Sequence, residues 1–476
     1  MFDAIIIGAG VIGGTIAREL SKYQLKTLIL EKEQDVCMGQ SRANSGIVHA
    51  GFDAKVGSLK AYFNVIGNQM MPSYAKELGV KYQNNGSIVV ATCEEENEML
   101  LDLFKRGKKN GVKGLKILTR EELVKLEPNV SDIATSALYA KTGGIICPYG
   151  LTIASIGNAM DNGAELKTNF EVVKIEKTNG VFEIYSSNGE KVCSKIVINC
   201  SGINSAKIAN LIGDKSFTMG GRLGEYMLLD RESGDFVSHT IFKTPTSKGK
   251  GVLVTNTVDG NILIGPTAKV LDEISTDTTF DGLEDIKEKA YETVKNIPFY
   301  NTITSFAGVR AFCDRNDFII EESKSQENFF NVAGIESPGL TSSPAIAKFV
   351  VENLVGKKIN LVKKKNFIAK RKPENYFKTL SVKEKNKIIA KDPAYGKMVC
   401  RCEQVTEGEI RRAIRENPRA TTVDAVKRRT RAGMGRCQGG FCQIRVAEIL
   451  AEELGLDFTE VVKSGKNAVL TKGKTK

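Results

Sequence analysis

The amino-acid sequence predicts an α/β fold with a discontinuous nucleotide-binding domain, an inserted domain built on an antiparallel sheet, and a small C-terminal module. Three observations lead to this prediction. A glycine-rich turn at residues 8–13 follows an apolar run and opens a helical pattern. Segments of α/β character recur at the beginning, middle and end of residues 1–356, with strand-rich segments between them. Four cysteines near the end of the chain form two close pairs, Cys400 with Cys402 and Cys437 with Cys442.

Length and composition are those of a globular protein of two or three domains. The chain has 476 residues, of which 41% are hydrophobic and 26% charged, and single cores stop growing at roughly 250–300 residues. No run of about 18 apolar residues is present, so we expect no transmembrane segment. The first residues, MFDAIIIGAG, lack a basic region and do not resemble a signal peptide. We therefore expect a cytoplasmic location, where cysteine pairs more often bind metals than form disulfides.

The positive charge is concentrated in the last quarter of the chain. Residues 357–476 hold 30 Lys and Arg against 13 Asp and Glu, while the whole chain carries a net charge of +12. We interpret this region as a solvated Lys-rich linker followed by arginines that offset an anionic cluster. Nucleic-acid binding is not expected, because no aromatic residues are interleaved with the basic ones. Contact of the basic region with an anionic membrane surface stays open.

The elements of the predicted fold follow from periodicity and turn residues. An opening βαβ unit comprises a strand at 4–7, a helix at 11–22 and a strand at 27–31. Further helices are predicted at 64–78, 94–109, 120–126 and 151–162, and a last one ends near 354. Further strands are predicted at 172–176, 181–186, 195–201, 252–256, 261–264, 303–310, 318–321 and 329–333.

The glycine-rich turn, Gly8-Ala9-Gly10-Val11-Ile12-Gly13, fits the GxGxxG pattern in its required strand–turn–helix context. Gly8 permits the tight turn, Gly10 lets the backbone approach a pyrophosphate, and Gly13 lets the helix pack on the strand. Glu31 ends the next strand and would accept hydrogen bonds from ribose hydroxyls. Ile12 and Lys32 complete this part of the predicted site. The pattern indicates a Rossmann-like dinucleotide site and does not by itself distinguish FAD from NAD.

Four longer segments distinguish these two cofactors. They are SRANSGIVHAG (41–51), INCSGINSAKIANLIG (198–213), GVRAFCDRNDFIIEES (308–323) and NVAGIESPGLTSSPAIA (331–347). Together they resemble the FAD-dependent amino-acid and hydroxy-acid oxidoreductase superfamily, and within it the group of glycerol-3-phosphate and L-2-hydroxyglutarate dehydrogenases. The resemblance covers about residues 1–356 and implies FAD. It implies that flavin-side contacts come from Ser41, Asn44, Ser45, Gly46, Gly339, Leu340 and Thr341, adenine contact from Val173, and contact with the pyrophosphate region from Gly202. Val48, Ser201 and Gly308 are further predicted cofactor-binding residues.

The same resemblance places His49 beside the flavin ring and Arg310 on an anionic substrate. Imidazole titrates near neutral pH and suits removal of a hydroxyl proton, and a guanidinium binds carboxylate or phosphate through two bonds. Lys60 and His239 are weaker candidates, and we expect His239 to be structural or peripheral. Relatives that act on glycerol 3-phosphate carry Arg four residues after the His. Here that position is Asp53, which would repel phosphate.

The two cysteine pairs have the number of thiolates that a metal ion or metal–sulfur cluster needs. Their surroundings, VCRCEQVTEGEIRRAI and TVDAVKRRTRAGMGRCQGGFCQIRV, resemble bacterioferritin-associated ferredoxin-like 2Fe–2S domains. This resemblance implies a small helical fold with Cys400, Cys402, Cys437 and Cys442 as cluster ligands; zinc is the competing interpretation. The N–H groups of Gly435, Gly439 and Gly440 would donate to the sulfurs. The other six cysteines are expected to be small buried apolar residues.

These observations predict a domain order. FAD-binding parts are expected at 1–80, 141–215 and 303–356, substrate-domain parts at 81–140 and 216–302, a basic linker or arm at 357–396, the 2Fe–2S domain at 397–450 and a tail at 451–476. The predicted function is an FAD-dependent dehydrogenase that oxidises sn-glycerol 3-phosphate to dihydroxyacetone phosphate. It passes electrons through the cluster to an acceptor protein or partner subunit. Two alternatives stay open: a 2-hydroxy acid such as L-2-hydroxyglutarate as the substrate, and an electron-relay subunit with an idle pocket.

Overall fold

The computed structural model describes residues 1–245, 251–373, 377–465 and 467–473. Within these ranges the chain folds into two large sheets, two small ones and twelve α-helices. The helices are Val11–Leu20, Leu59–Leu78, Glu94–Lys109, Arg120–Leu126, Pro148–Asp161, Ser205–Asn210, Phe280–Tyr291, Gly339–Phe349, Val382–Lys391, Glu407–Arg415, Val423–Thr430 and Gln443–Leu454. None of these helices is long and apolar enough to span a bilayer.

The first large sheet has a parallel centre that carries the glycine-rich turn. Its eight strands are Phe2–Ile7, Thr27–Leu30, Glu165–Lys167, Val172–Thr178, Val181–Ser186, Lys191–Asn199, Ile319–Glu322 and Phe329–Ala333. The first strand pairs in parallel with Thr27–Leu30 on one side and Lys191–Asn199 on the other. Its apolar residues are buried on both faces, as parallel strands covered by helices require. The predicted βαβ opening is therefore present.

The second large sheet is mostly antiparallel and forms the inserted domain. Its nine strands are Ser87–Ala91, Leu115–Thr119, Ser136–Ala140, Met219–Leu229, Thr240–Lys243, Leu253–Asn256, Ile262–Gly265, Lys269–Leu271 and Thr302–Cys313. One pair, Thr240–Lys243 with Ser87–Ala91, is parallel. The strand Thr302–Cys313 pairs along Met219–Leu229 in this sheet. It was predicted to belong to the FAD-binding part that begins at 303, so by strand pairing the change of sheet comes after residue 313.

A small sheet and a helix pair join the two large sheets. The small sheet contains Ile47–Val48, Tyr82–Gln83 and Gly144–Ile146. The long helix Leu59–Leu78 begins at a Ser58 cap and packs against the helix Gly339–Phe349. The contact is made by backbone, because a Cβ on Gly67 would lie 2.1 Å from the Thr341 carbonyl oxygen. The segment after Val48 thereby lies against the beginning of the helix Leu59–Leu78.

Residues after 356 cross the first domain and end in a compact helical module. The described part of the 357–396 region contains the exposed helix Val382–Lys391, and Lys363 pairs with Tyr23 through an isolated bridge. In the module, a two-stranded sheet of Met398–Cys400 and Val405–Thr406 precedes three helices. Their apolar faces form one core that also includes Val461. The predicted boundary at 450 therefore cuts through the helix Gln443–Leu454, and the module continues into the predicted tail.

Candidate active site and cluster site

A cleft of about 460 Å³ follows the carboxyl edge of the first sheet. Ten of the predicted cofactor residues or their neighbours line it: Gly8, Gly10, Val11, Ile12, Glu31, Lys32, Ser41, Ser201, Gly202 and Gly308. Ligands of open α/β sheets bind at this edge, beside the turn that precedes the first helix. The cleft therefore has the position that an extended dinucleotide requires.

The glycines of the turn leave no room for side chains. Gly8 has a φ of +108°, and a Cβ there would lie 2.5 Å from the Cys200 carbonyl oxygen. A Cβ on Gly13 would lie 1.9 Å from the carbonyl oxygen of Gly8. Gly10 precedes the helix and provides no side-chain cap. The Val11 N–H donates to the Ser41 hydroxyl at 2.9 Å, which leaves the N–H groups of Ile12 and Gly13 for a pyrophosphate. These observations fit the cofactor.

Glu31 shapes the other side of the turn. One of its oxygens accepts a hydrogen bond from the Ala9 N–H at 2.9 Å, and the other accepts from the Glu33 N–H at 3.0 Å. Burial raises the pKa of this carboxyl. A carboxylate has about four lone-pair sites, so two hydrogen bonds leave capacity for the predicted ribose hydroxyls.

The remaining predicted cofactor residues lie around the cleft rather than on its surface. Asn44, Ser45 and Gly46 line a neighbouring cavity, and the Asn44 side chain accepts from the Gly46 N–H at 2.9 Å. Val48, Gly339, Leu340 and Thr341 meet at the small sheet, where the Thr341 hydroxyl donates to the Ile47 carbonyl at 3.2 Å. Val173 is 43% exposed, and Val172 lines the cleft instead. Because successive side chains of a strand face opposite ways, a cofactor contact at residue 173 would come from its backbone.

A second cavity, of about 320 Å³, brings together the two predicted catalytic residues. It is lined by His49 and Arg310, and also by Asp53, Lys60, Arg222, Phe242, Lys243 and Glu336. Arg222, Lys243 and Glu336 were not predicted. Glu336 lies in one of the four family-like segments, whereas nothing in the sequence around Arg222 or Lys243 signals a site. We call this cavity the substrate cavity.

His49 is held by its backbone on both sides. Its N–H donates to the Thr341 hydroxyl at 2.9 Å, and its carbonyl accepts from Asn64 at 2.6 Å and Asn68 at 3.1 Å. The ring Nε2 lies 3.3 Å from the Ser337 hydroxyl. The imidazole is therefore fixed in the wall of the substrate cavity, with a hydroxyl group beside the nitrogen that would exchange a proton.

Arg310 brings a positive charge that has no ion-pair partner among the described carboxylates. Its guanidinium donates to the Thr267 carbonyl at 2.6 Å and reaches the Leu223 carbonyl at 3.5 Å. Its Nε is buried without a hydrogen-bond partner, and no carboxylate in the described ranges forms an ion pair with it. Burial lowers the pKa of Arg310, because an enclosed charge loses hydration. An anion bound in the cavity would compensate the guanidinium for the hydration that it loses on burial.

The other cations of the substrate cavity have carboxylate partners. Lys60 lies 2.9 Å from Glu336, Arg222 lies 3.4 Å from the same carboxylate, and Lys243 lies 2.9 Å from Glu96. His239 is elsewhere. Its ring lies 2.6 Å from the buried Glu127, which also accepts the N–H groups of residues 238 and 239. His239 thus has the structural role that was expected.

The four cysteines of the module form an inner and an outer pair. Cys400 and Cys442 are buried and hydrogen-bonded to each other, and this bond lowers the pKa of Cys400 to about 6. Cys402 is exposed, Cys437 is half-buried, and their sulfurs lie 3.8 Å apart. Two thiolates on one tetrahedral metal, with bonds of about 2.3 Å, are separated by about 3.8 Å.

This arrangement fits a cluster of two irons, with a thiolate pair for each. Among the side chains described, no three acidic, His or Cys groups converge as a single-ion site would require. Backbone N–H groups of Gly433 and Glu403 donate to Cys400, and those of Gly439 and Phe441 donate to Cys437. Of the three glycine donors predicted, only Gly439 has this role. Gly435 instead lets the Cys402 side chain pack against backbone, since a Cβ there would lie 2.3 Å from the Cys402 Cβ.

Four of the remaining cysteines are buried, as expected: Cys37, Cys147, Cys200 and Cys313. Burial raises the pKa of Cys37 to about 12. The expectation is wrong for Cys93, which is exposed, and only partly met by Cys193, which is half-buried. Cys93 precedes the helix Glu94–Lys109 at the surface of the second domain, where no core reaches it.

Three arginines of the module are buried and join it to the first two domains. Arg428 and Arg429 lie 2.6 and 2.7 Å from Asp35, and Arg431 lies 2.6 Å from Asp259. All five side chains are almost fully buried. This differs from the predicted role of offsetting a cluster's charge. A cavity of about 570 Å³ lies beside these pairs, between residues 44–46 and the module.

Comparison with known proteins identifies both parts of the chain. The model of the FAD-dependent oxidoreductases matches residues 3–353, and that of the BFD-like [2Fe-2S] binding domain matches residues 398–452. The chain belongs to the FAD-dependent oxidoreductase family. Its cofactors are thus FAD and, in the module, a 2Fe–2S cluster, which excludes the zinc interpretation. The region predicted as a linker lies between the two matched ranges.

Relatives of this FAD-dependent oxidoreductase include proteins with and without the module. It is 49% identical to a glycerol 3-phosphate dehydrogenase of Caloramator mitchellensis, over 100% of this chain and 99% of the other. It is 32% identical to an L-2-hydroxyglutarate dehydrogenase of Escherichia coli K12, over 56% and 64% of the two chains. Its fold matches the dithionite-reduced, FAD-bound L-α-glycerophosphate oxidase of Mycoplasma pneumoniae with a TM-score of 0.74 at 31% identity, covering 78% and 98%.

Proposed function

We propose that this oxidoreductase oxidises sn-glycerol 3-phosphate to dihydroxyacetone phosphate and delivers the electrons singly to an acceptor protein. The observation that carries the proposal is the unpaired guanidinium of Arg310 in the same cavity as His49. An anion-binding group next to a proton-accepting group suits a phosphorylated secondary alcohol. The full-length similarity to a glycerol 3-phosphate dehydrogenase supports this choice of substrate.

In this proposal Arg310 binds the phosphate and sets the distance of the substrate from His49. Lys60 and Arg222 flank the phosphate in this proposal. Both pair with the single carboxylate of Glu336, so they add positive potential to the cavity but do not form the main ion pair with the phosphate. Asn64, Asn68 and Thr341 fix the backbone of His49. The positions of the two groups are thus set by hydrogen bonds that do not involve the substrate, and little reorganisation is needed on binding.

His49 accepts the proton of the substrate hydroxyl at Nε2, the nitrogen beside Ser337. A neutral imidazole suits this step near pH 7. When bound, FAD supplies a two-electron acceptor for the hydride, and the cluster supplies a one-electron route outward. The imidazolium then releases its proton to water. Ser45 and Gly46 line one side of the interdomain cavity, and Met434 and Gln438 of the module line the other. This arrangement supports a flavin and a cluster on opposite sides of that cavity.

L-2-Hydroxyglutarate is the second candidate, and one observation favours it. Asp53 lines the substrate cavity where phosphate-specific relatives carry Arg. The Asp53 carboxylate would repel a doubly charged phosphate group of the substrate more strongly than it would repel a singly charged carboxylate group. Against it, the chain is 49% identical over its full length to a glycerol 3-phosphate dehydrogenase, whereas its match to an L-2-hydroxyglutarate dehydrogenase covers 56% of the chain. We therefore keep glycerol 3-phosphate as the substrate.

The test is anaerobic stopped-flow reduction of the purified holoprotein. Glycerol 3-phosphate should bleach the flavin absorbance and then produce the EPR signal of a reduced 2Fe–2S cluster. Glycerol, which lacks the phosphate, should do neither. Faster bleaching by L-2-hydroxyglutarate would contradict the assigned substrate. Bleaching by neither compound, with reduction by a partner protein, would favour a relay subunit.

A further inference from the structure

The cluster module exposes a large aromatic side chain directly beside a cluster ligand. Phe441 precedes Cys442 and is 90% exposed, and Ile444, one helical turn further, is 65% exposed. Both lie at the start of the helix Gln443–Leu454, whose opposite face is buried in the core of the module. These two side chains therefore contribute nothing to the module's own packing, and such exposed apolar groups often mark contact sites.

The exposed aromatic group lies on the outer side of the thiol set. Cys400 and Cys442 form the buried pair, whereas Cys402 is exposed and Cys437 half-buried. The backbone N–H of Phe441 donates to the sulfur of Cys437, which lies 3.8 Å from that of Cys402. Electron transfer weakens steeply with distance. The outer pair beside Phe441 is therefore the shortest exit from the cluster to a protein outside the chain.

One exposed cation beside this exit, Arg401, has no carboxylate partner among the described residues. The two segments that carry the thiols, residues 397–404 and 433–447, contain Lys397, Arg401, Arg436 and Arg445 and a single acidic residue, Glu403. Glu403 is buried. The other three cations have carboxylate partners: Lys397 lies 3.9 Å from Glu407, Arg436 pairs with Asp230 and Glu232, and Arg445 pairs with Glu407, Glu448 and Glu452. Arg401, between two ligand cysteines, is exposed, and no carboxylate in the described part of the chain forms an ion pair with it.

We infer that the surface formed by Phe441, Ile444, Arg401 and the outer thiol pair docks a small acidic protein that carries one electron. We call this the exit surface. An apolar centre with a charged rim is the usual composition of a specific interface, and charge complementarity speeds encounter with an acidic partner. The inference deepens the proposed function and rests on it for the source of electrons. Each substrate oxidised releases two electrons and two protons, so two carriers are reduced and both protons pass to water.

The experiment measures binding as well as electron transfer, using the anaerobic holoprotein and an acidic plant-type ferredoxin as the probe. Calorimetric binding of oxidised ferredoxin should be about 10- to 30-fold weaker for Phe441→Ala, the loss typical of a central aromatic contact. Arg401→Glu should lower the association rate about tenfold at low ionic strength, and the loss should shrink as salt is added. Phe280→Ala and Lys105→Glu remove an exposed aromatic and an exposed cation on the second domain and should change neither.

Each outcome decides the matter. Unchanged ferredoxin binding in both exit-surface variants would overturn the inference, provided that their cluster EPR spectra match the wild type. Equal binding of a basic cytochrome c, lost with Phe441→Ala, would also overturn it, because the partner would not be acidic. A change from dimer to monomer on Phe441→Ala would assign the surface to a second copy of the chain. Dithionite-reduced protein tests the docking even if glycerol 3-phosphate fails to bleach the flavin, so the two failures are distinguishable.

Discussion

The guanidinium of Arg431 lies 2.6 Å from the carboxylate of Asp259, and this pair joins the cluster module to the inserted domain. Asp259 lies in the turn between the strands Leu253–Asn256 and Ile262–Gly265. The same guanidinium lies 2.9 Å from Glu403, the residue after the proposed ligand Cys402. A single side chain thus links a hairpin of the inserted domain to the loop that carries Cys400 and Cys402.

Replacing Arg431 by Met should loosen the module. The change leaves two buried carboxylates with fewer partners, and breaking a buried ion pair costs about 3–5 kcal/mol. Asp259 keeps Lys81, and Glu403 keeps Arg231 and Lys378, so we expect a loss near about 3 kcal/mol. Calorimetric unfolding should show the module melting separately, and limited proteolysis should cut the linker faster.

Arg436→Met is the matched control for this prediction. Arg436 also pairs with carboxylates of the second domain, Asp230 and Glu232, but its side chain is largely exposed. Exposed ion pairs contribute about 0–1 kcal/mol. If both variants lost the same stability, burial of the Arg431 pair would not be the reason for its strength.

Acid should weaken the docking of the module through Asp35. Burial alone would raise the pKa of this carboxyl, but the charges of Arg429 and Arg428 outweigh it and hold the pKa below its ordinary value of about 3.9. A lowered folded-state pKa gives stability that is present above the unfolded pKa and is lost as pH falls through the folded pKa. The stability difference between wild type and Asp35→Asn should therefore be full at pH 7 and shrink below about pH 4. Denaturant unfolding at a series of pH values measures this difference, and a constant difference would contradict the assignment.

Arg310→Ala should impair substrate binding. A hydrogen bond to a charged group contributes about 1.5–3 kcal/mol, so kcat/KM for glycerol 3-phosphate should fall about 10- to 100-fold, mainly through KM. Arg315→Ala removes an arginine of the same segment that pairs with Glu321 outside the cavity, and its kinetics should match the wild type. Steady-state kinetics with an artificial dye as the acceptor separates the two variants.

His49→Gln should lower turnover and leave binding nearly intact. Glutamine keeps the size and backbone contacts of the residue but cannot take up a proton, and general base catalysis contributes about 10²- to 10⁴-fold. The acidic limb of the pH profile of kcat should disappear with the imidazole. A variant that kept both the wild-type rate of flavin bleaching and this limb would show that another group removes the proton.

Most of what could be predicted came from local sequence patterns. Contacts between segments that are distant in the chain could not be predicted. The glycine turn and the βαβ unit are readable because their residues are neighbours in the chain, and His49 and Arg310 were proposed only because two family-like segments surround them. The resemblance could not show that Glu336 would pair with both Lys60 and Arg222, because that pairing depends on packing between the two large sheets.

The basic segment near the cluster shows the same limit. The sequence reveals the charges of Arg428, Arg429 and Arg431, but their partners Asp35 and Asp259 lie far away in the chain. A run of arginines is usually solvated, so the pattern favoured that interpretation. Only the position of the module against the other domains distinguishes buried interdomain ion pairs from a solvated face.

Gly13→Ala should abolish FAD binding without touching the cofactor. The new Cβ would lie 1.9 Å from the Gly8 carbonyl oxygen, so the first helix must move away from the strand that orients the turn. Overpacking of this kind costs about 1–3 kcal/mol, and the N–H groups at the helix start would leave their positions.

Gly396→Ala is the control, because its nearest new contact is an ordinary 3.4 Å to Ile389. The flavin absorbance of purified protein relative to its cluster absorbance measures the effect. We expect a colour dominated by the cluster in Gly13→Ala and the wild-type ratio in Gly396→Ala, since the module folds around its own core; a wild-type ratio in both would show that the turn tolerates a side chain there.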